Sequence, residues 1–490
     1  MSVSAHFNGK RMRSIEPLEV PVSPLQHGEQ LVRRTDSEQR STRPAFAVTT
    51  RTKHKGLIQG FLESEERFPS REAVVEDNTN LSDCEPRKRA AATHGRGIPS
   101  SLPSIQSEVP VVVVAGTLNA LGVVRSLALG RMPIYVVSTS RYCAAGWSRF
   151  CNFVRIPSLD GRSLIDSLME LGMRLGHRPV LILTADQCVN AVSAHGDEIE
   201  RLYRISLPSG EVVRALSDKI LFQDLAEREG FAVPRGVALE SEADLALMER
   251  LIPPLIIKPA DKTLVLNGVA ERAVRANTLA EARTSVKRML TEAPRLIVQE
   301  WIHGSDSQIF FSLFSCDRDS RLIGMFSGRK LVCSPPEIGT TALCVAAPEA
   351  TAELRALVLN FIARVGYRGL GSLEVKRDSA TGRFIIIEPT VGRTDWQEEI
   401  ATLCGINLPL ITYWAELGCP TAMNSGAIGS VAWRSSVEHR VPPGALLPGT
   451  RVIDGFFRWS DPLPAFHHYA VERFAARILR RAERFFPSRH

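Results

Sequence analysis

Gly371–Arg393, GSLEVKRDSATGRFIIIEPTVGR, is the stretch on which the reading of this 490-residue chain turns. Leu373–Lys376 has strand character and Phe384–Ile387 has more of it. Ser379-Ala380-Thr381-Gly382 between them is turn chemistry. A turn centred on Thr381 puts position 378 opposite 384, 376 opposite 386 and 374 opposite 388. Glu374 and Glu388 then face each other across two neighbouring strands. Opposed carboxylates repel, and the pair weakens a sheet unless a cation sits between them. A hard divalent ion held by one or two carboxylates and by substrate phosphates meets that need. The plainer alternative is a solvated hairpin in which one residue of register slip keeps the acids apart.

The rest of the chain supplies the context. Its length leaves room for two or three domains with ample core. The formal charge of +7 is modest, and the excess gathers toward the two ends. No basic stripe interleaved with stacking aromatics runs through it, so a nucleic-acid partner is not expected. A basic pocket for an anionic substrate fits the balance. The nine cysteines form no CxxC and read as reduced, mostly buried thiols. The longest apolar runs, around Val111–Val114 and Leu181–Leu183, are too short to cross a bilayer. With no signal peptide recognisable, a soluble cytoplasmic protein is expected.

Residues 1–108 are rich in Arg, Ser, Glu and Pro and poor in aromatics, so they cannot bury enough surface to offset their chain entropy. A disordered arm is expected there, with a short helix near 60–66. Order begins at Val109. Val111–Val114 reads as a buried strand, Thr117-Leu118-Asn119 opens a helix that Gly130 stops, and Ile134–Val137 is the next strand. Strand, helix and strand in this order imply a parallel sheet. The Gly116 turn lacks a full GxGxxG, and a plain tight turn explains it as well as an anion site does. Val180–Leu183 ends in Thr184-Ala185-Asp186, which puts Asp186 either near a cleft or at a helix N-cap.

Farther on, Ser217-Asp218-Lys219 opens a helix that Gly230 ends. Leu255–Ile257 is a short apolar strand followed directly by Lys258, a lysine that either snorkels to solvent or points into a site. LIVQEWI, from Leu296 to Ile302, is a strong strand. Gln308–Ser315 pairs back on it, and Leu322–Ser327 is another strand leading into Gly328-Arg329-Lys330. Helices are expected at 279–290 and 349–365. The middle of the chain therefore combines cations for phosphates, a strand edge for a base and acids for magnesium. Past Gly418, short strands are expected at Val431–Arg434 and Arg451–Arg458. HHYAVERFAARILRRAERFF closes the chain as an amphipathic helix with arginines around its apolar face. That helix either packs on its own domain or lies on an anionic membrane surface or acidic partner.

Five segments match one family together, in order and spacing: GTLNALGVVRSLALG, LSDKILFQDLAEREGFAVP, PLIIKPA, VQEWIHGSD, and GYRGLGSLEVKRD running through IIIEPTVGR. The region from Val111 to Trp414 resembles the ATP-grasp superfamily, and within it the carboxylate–amine ligases. The resemblance implies an α/β and α+β chain in four parts. These are a disordered arm (1–108), a Rossmann-like preceding domain (109–205), an ATP-grasp domain of two α+β lobes clasping ATP (206–418), and a C-terminal extension with the basic helix (419–490).

Carried over by position, the resemblance implies that Lys219 and Lys258 contact the nucleotide phosphates. Gln299, Glu300, Trp301 and Ile302 form the hinge strand that reads adenine through its backbone, with Asp306 near the ribose. Glu374 and Glu388 hold magnesium, or manganese in its place. Arg393 lies at the transferred phosphate, and Arg329 and Lys330 line the acceptor side.

Two departures stand out. Thr390 occupies the position where the family has a metal-binding Asn, and its hydroxyl is expected to ligate magnesium or hold its water, more weakly. The segment after Lys258 is poor in the glycines of the usual phosphate flap, so Lys262 is a candidate to reach inward. The implied reaction converts a small carboxylate into an acyl phosphate, which an amine then displaces. Asp395 and Glu398 are candidates for a general base by position only. Two other readings stay open: ATP-grasp chemistry on bicarbonate, disfavoured by the lack of a recognisable biotin-carrier or glutaminase segment, and a non-catalytic ATP-binding module.

Overall fold

The computed structural model describes residues 107–262, 271–419 and 430–472. The expected arm up to position 106, the helix near 60–66, the flap at 263–270 and the basic C-terminal helix beyond 472 lie outside them.

A four-stranded parallel sheet comes first. Its strands are β1 (Val111–Val114), β2 (Ile134–Ser138), β3 (Asn152–Arg155) and β4 (Val180–Leu183), in the order β3-β2-β1-β4. Helices α1 (Leu118–Ala128) and α2 (Gly161–Leu175) make two of its crossovers, and α3 (Asp186–Ala194) leaves the end of β4. The sequence reading has no β3, because NFVR is a sheet-edge strand with half-exposed positions and no apolar run. All four valines of β1 are fully buried, Val112 and Val114 in one core and Val111 and Val113 in another. A parallel strand covered on both faces has this continuous apolar composition.

After α4 (Gly196–Leu202) and α5 (Gly210–Ser217), the Asp218 carboxylate accepts from the Ile220 and Leu221 amides and caps α6 (Lys219–Arg228). Next comes a four-stranded antiparallel sheet, β5 (Gly236–Leu239), β6 (Leu255–Pro259), β7 (Val274–Ala276) and β8 (Leu296–Glu300), ordered β5-β8-β6-β7. Helix α7 (Leu279–Leu290) covers it, and Leu239, Leu255, Val286 and Met289 form a core of their own.

The third sheet has seven strands: β9 (Ile309–Cys316), β10 (Leu322–Ser334), β11 (Thr340–Ala346), β12 (Gly369–Arg377), β13 (Phe384–Val391), β14 (Val431–Arg434) and β15 (Arg451–Asp454), ordered β13-β12-β9-β10-β11-β14-β15. Helix α8 (Thr351–Val365) lies against it, and its Val358 and Phe361 share a core with β9 and the parallel sheet. β14 pairs antiparallel with β11 and β15 runs parallel to β14, so residues beyond 430 widen this sheet. β10 runs on through Gly328, Arg329 and Lys330, which are strand residues and not its exit. Among the described residues no helix is long and apolar enough to cross a membrane.

Candidate active site

β12 and β13 form the hairpin that the sequence implies, and Glu374 stands directly opposite Glu388. The route to that pairing differs from the one inferred. Lys376 faces Ile385 and Arg377 faces Phe384, one residue out from a turn centred on Thr381, and a bulge at Ile387 makes up the difference. A bulge adds one residue to one strand and bends it. Here it puts consecutive residues, Ile387 and Glu388, on the wall of one cleft while Ile386 stays in the core. On β12 the alternation is regular. Glu374 and Lys376 line the cleft, and Leu373 and Val375 are fully buried behind them.

The cleft lies between the four-stranded and seven-stranded sheets. Lys219, Lys258, Lys262, Arg272 and Arg393 enter it beside the acid pair. Each acid has an ammonium partner: Glu374 Oε2 is 2.5 Å from Lys330 Nζ, and Glu388 Oε1 is 2.6 Å from Lys262 Nζ. Burial alone pushes the Glu388 carboxyl up, but Lys262 and Lys219 outweigh it and hold the group well below the usual carboxylate range. Burial likewise works against the charge on Lys330 and Lys262, and the facing carboxylates win, so both ammoniums are held above the ordinary lysine value.

The other two lysines are different. Among the described residues no carboxylate pairs with Lys219 or Lys258. Burial brings Lys219 down to about 8 and lowers Lys258 as well, with Glu388 only partly opposing it. Lys258 Nζ donates to Gln299 Oε1 at 3.3 Å. Of the two placements open to Lys258, the structure adopts the inward one.

Asp186 stands at the carboxyl end of β4, as the first residue of α3, and lines the cleft. Its two oxygens accept from Arg393 Nε and Nη2 at 2.8 and 2.9 Å. Burial opposes ionisation there, but Arg393 and Lys262 hold the Asp186 carboxyl down at about 2. A fork-to-fork pair of this kind fixes orientation as well as charge, so the parallel sheet aims Arg393 into the cleft.

The hinge residues Gln299, Glu300, Trp301 and Ile302 all line the cleft. Two of their amides are already committed, Glu300 N to Arg235 O at 2.9 Å and Trp301 N to Pro254 O at 2.8 Å.

Three inferred positions need correction. Arg329 and Lys330 do not share a face, because neighbours in a strand point to opposite sides. Lys330 is buried against Glu374. Arg329 reaches Glu349 at 3.6 Å and lies over the Phe310 ring, on the other side of the sheet. Asp306 does not line the cleft. Its oxygens accept from the Cys333 and Glu337 amides at 2.8 and 2.9 Å, so it fastens the loop between β10 and β11. Thr390 stands behind the acid pair, where its hydroxyl donates to Asp395 Oδ1 at 2.8 Å and Ser372 Oγ donates to Asp395 Oδ2 at 2.6 Å. Threonine here holds the Asp395 carboxylate, which does not line the cleft. Of the two base candidates, Asp395 is this braced carboxylate. Glu398 is fully buried against α1, where burial and then Glu399 push it up to about 8. Sequence reasoning missed Arg272 and Lys376; Lys376 was findable, since it stands two residues after Glu374 and so on the same face.

The acid pair offers only oxygen donors. Glu388 is ionised, and both acids are partnered by lysine ammoniums. This set fits a hard divalent cation completed by phosphate oxygens.

No family model matches the sequence, and no curated protein matches it. Solved structures do. N5-carboxyaminoimidazole synthetase from Staphylococcus aureus, complexed with ADP, superposes with a TM-score of 0.53 at 13% identity, over 66% of this chain and 80% of that one. Carboxyaminoimidazole ribonucleotide synthase from Aspergillus clavatus, complexed with ATP, gives 0.52 at 14%, over 66% and 80%. The biotin carboxylase domain of the Hydrogenobacter thermophilus 2-oxoglutarate carboxylase, with MgADP, ADP and bicarbonate, gives 0.52 at 14%, over 65% and 72%. The chain has the ATP-grasp fold. At these identities the likeness is one of fold, and what the ATP-grasp cleft does here has to be argued from its own residues.

Proposed function

We propose that this protein is an ATP- and magnesium-dependent ligase that joins a small carboxylate to an amine through an acyl phosphate. The observation that carries the reading is the charge of the cleft. Two half-buried lysines, Lys219 and Lys258, stand beside a pair of acids already matched by ammoniums, and among the described residues no carboxylate forms an ion pair with either. Half-buried cations without an ion-pair partner are costly. A polyphosphate supplies the missing charge.

Glu374 and Glu388 would hold magnesium, and the same oxygen set takes manganese; the bound ion supplies charge neutralisation on the phosphates. The chain's own part follows from placement. Lys219 and Lys258 bind the phosphates, and Arg393, aimed by Asp186, neutralises the phosphoryl group as it moves. A carboxylate oxygen attacks the γ-phosphorus, the bond to the β-phosphate oxygen breaks, and ADP leaves. The amine nitrogen then attacks the acyl carbon, phosphate departs with the bonding pair, and the amine loses a proton. Asp395, braced by Ser372 and Thr390, is the candidate to receive it by its position in the chain.

Bicarbonate as the carboxylate is the second reading, favoured by the bicarbonate in the fold neighbour from H. thermophilus. An ADP-release assay with magnesium against pooled amino and hydroxy acids, with and without bicarbonate, separates them. Turnover that needs an organic acid supports the first reading and strict bicarbonate dependence the second. Nucleotide binding without turnover under any condition rejects both.

A further inference from the structure

The cleft holds one more cation than those at its phosphate end. Two residues beyond Glu374 on β12, Lys376 also faces the cleft, yet it is only 4% exposed. Its Nζ lies 4.4 Å from the centroid of the Trp301 ring. Trp301 in turn stands two residues beyond Gln299, the partner of Lys258. The strands from the two sheets thus run together, from a phosphate end marked by Lys258, Gln299 and Glu374 to a second end marked by Trp301 and Lys376. Ile256 and Ile302 from one side and Ile309 and Ile387 from the other give the cleft apolar walls.

The other charges around Lys376 are accounted for. Arg275 also lies over the Trp301 ring, at 4.7 Å, but it donates to both oxygens of Glu337 at 2.9 and 2.7 Å. Asp306 has both oxygens taken by backbone amides. Among the described residues no carboxylate pairs with Lys376. An indole face offsets part of an ammonium's charge but accepts none of its three N–H bonds directionally. A donor that opens onto the cleft loses its water when a ligand fills that space, and the acceptor then has to arrive with the ligand. Apolar walls around a single donor suit a flat heterocycle with ring acceptors.

We propose that Lys376 reads the base of the bound nucleotide, donating to a ring acceptor while Trp301 holds its ammonium in place. The assignment rests on the nucleotide reading of the cleft and adds to it the residue that selects the base. Because an ammonium only donates, bases are favoured by the acceptors they turn toward this end and disfavoured by amino groups turned the same way.

The test compares two probes on the full chain by calorimetry with magnesium. ADP carries a base and inorganic tripolyphosphate does not. In Lys376→Met, ADP binding should weaken by about tenfold or more, the usual worth of a hydrogen bond from a charged donor, while tripolyphosphate binding stays at the wild-type value. Unchanged tripolyphosphate binding also shows that the variant's cleft is formed. Lys376→Arg, which keeps a cationic donor, should hold ADP within about threefold of wild type. Equal ADP affinity in wild type and Lys376→Met overturns the proposal, as does equal weakening of both probes. A wild-type protein that binds neither probe overturns the nucleotide reading itself, and the two failures are therefore distinct.

Discussion

Lys219 holds its proton loosely, and the consequence can be measured. Its value near 8 sits below the ordinary 10.5 because burial disfavours the charge. Between those two pH values the unfolded chain keeps a proton that the folded chain has shed, so this group makes stability rise with pH across the window. Below pH 8 the folded protein carries the full desolvation penalty. Bound polyphosphate reverses the balance by favouring the charged lysine. ADP binding near pH 8 should therefore take up protons, visible by calorimetry in buffers of different ionisation enthalpy. Lys219→Met should reduce that uptake, leaving what Lys258, lowered by the same cause, contributes.

Glu388 is the other decisive residue. Glu388→Gln keeps the side chain's shape but removes the charge that faces Lys262 and Lys219. Magnesium-dependent ADP release should fall by about 100-fold or more, the scale seen when one electrostatic contact to a developing charge is removed, with the far-ultraviolet circular dichroism unchanged. Normal magnesium-dependent release would contradict the acid-pair assignment. Parity along a strand made Glu374 and Glu388 legible from sequence, and the strand–lysine junction at Lys258 was legible too. Asp306 and Thr390 were not, because their oxygens are committed to the Cys333 and Glu337 amides and to Asp395, partners that only the folded chain brings close.

At the scale of elements, β10 makes the sharpest distinction. The sequence shows two adjacent cations, Arg329 and Lys330, and a single basic wall is the natural inference if the strand ends before them. Because β10 continues to Ser334, they part to opposite faces. Arg329→Met should leave turnover within about twofold, since its side chain meets Glu349 and Phe310 away from the cleft. Lys330→Met should lower turnover by about tenfold or more, since it strips Glu374 of its buried partner. Parallel steady-state assays of ADP release decide the matter, and equal loss in both would return the pair to one face. The hairpin carries a related lesson. The turn lies half a residue from its inferred centre and the bulge at Ile387 restores the offset, so the acid pairing came out right through two departures that cancel. A bulge leaves no mark in a run such as FIIIEP, where every position is apolar enough for either face. The helix at 279–290, by contrast, has a threonine cap at Thr278 and an amphipathic period, and its bounds were readable in full.

Across the whole molecule, the part least legible in sequence is what ties the far end of the chain to its first ordered domain. Arg125 of α1 is 8% exposed and donates from Nε to Asp461 Oδ2 at 3.1 Å, and through its other nitrogens to the Gly455 and Phe456 carbonyls. Asp461 is fully buried and also accepts from Ser148 Oγ and the Arg149 amide, both at 3.0 Å. Glu399 completes the network, 2.7 Å from Arg458 and 3.7 Å from Arg125. No local pattern announces these contacts, because Asp461 lies more than 300 residues from Arg125 and Ser148 in sequence. Such a network costs desolvation to assemble and is intolerant of losing one member. Asp461→Asn should therefore destabilise the fold by about 3–5 kcal/mol, read as a lower urea midpoint. Arg125→Met should do the same, and the double variant should lose much less than the sum, because the second substitution removes a charge the first has already orphaned. None of the cleft-lining residues belongs to this network. At a temperature where the variants are folded, kcat per folded molecule should stay within about twofold of wild type. A variant stable in urea but inactive would place this cluster in the chemistry instead.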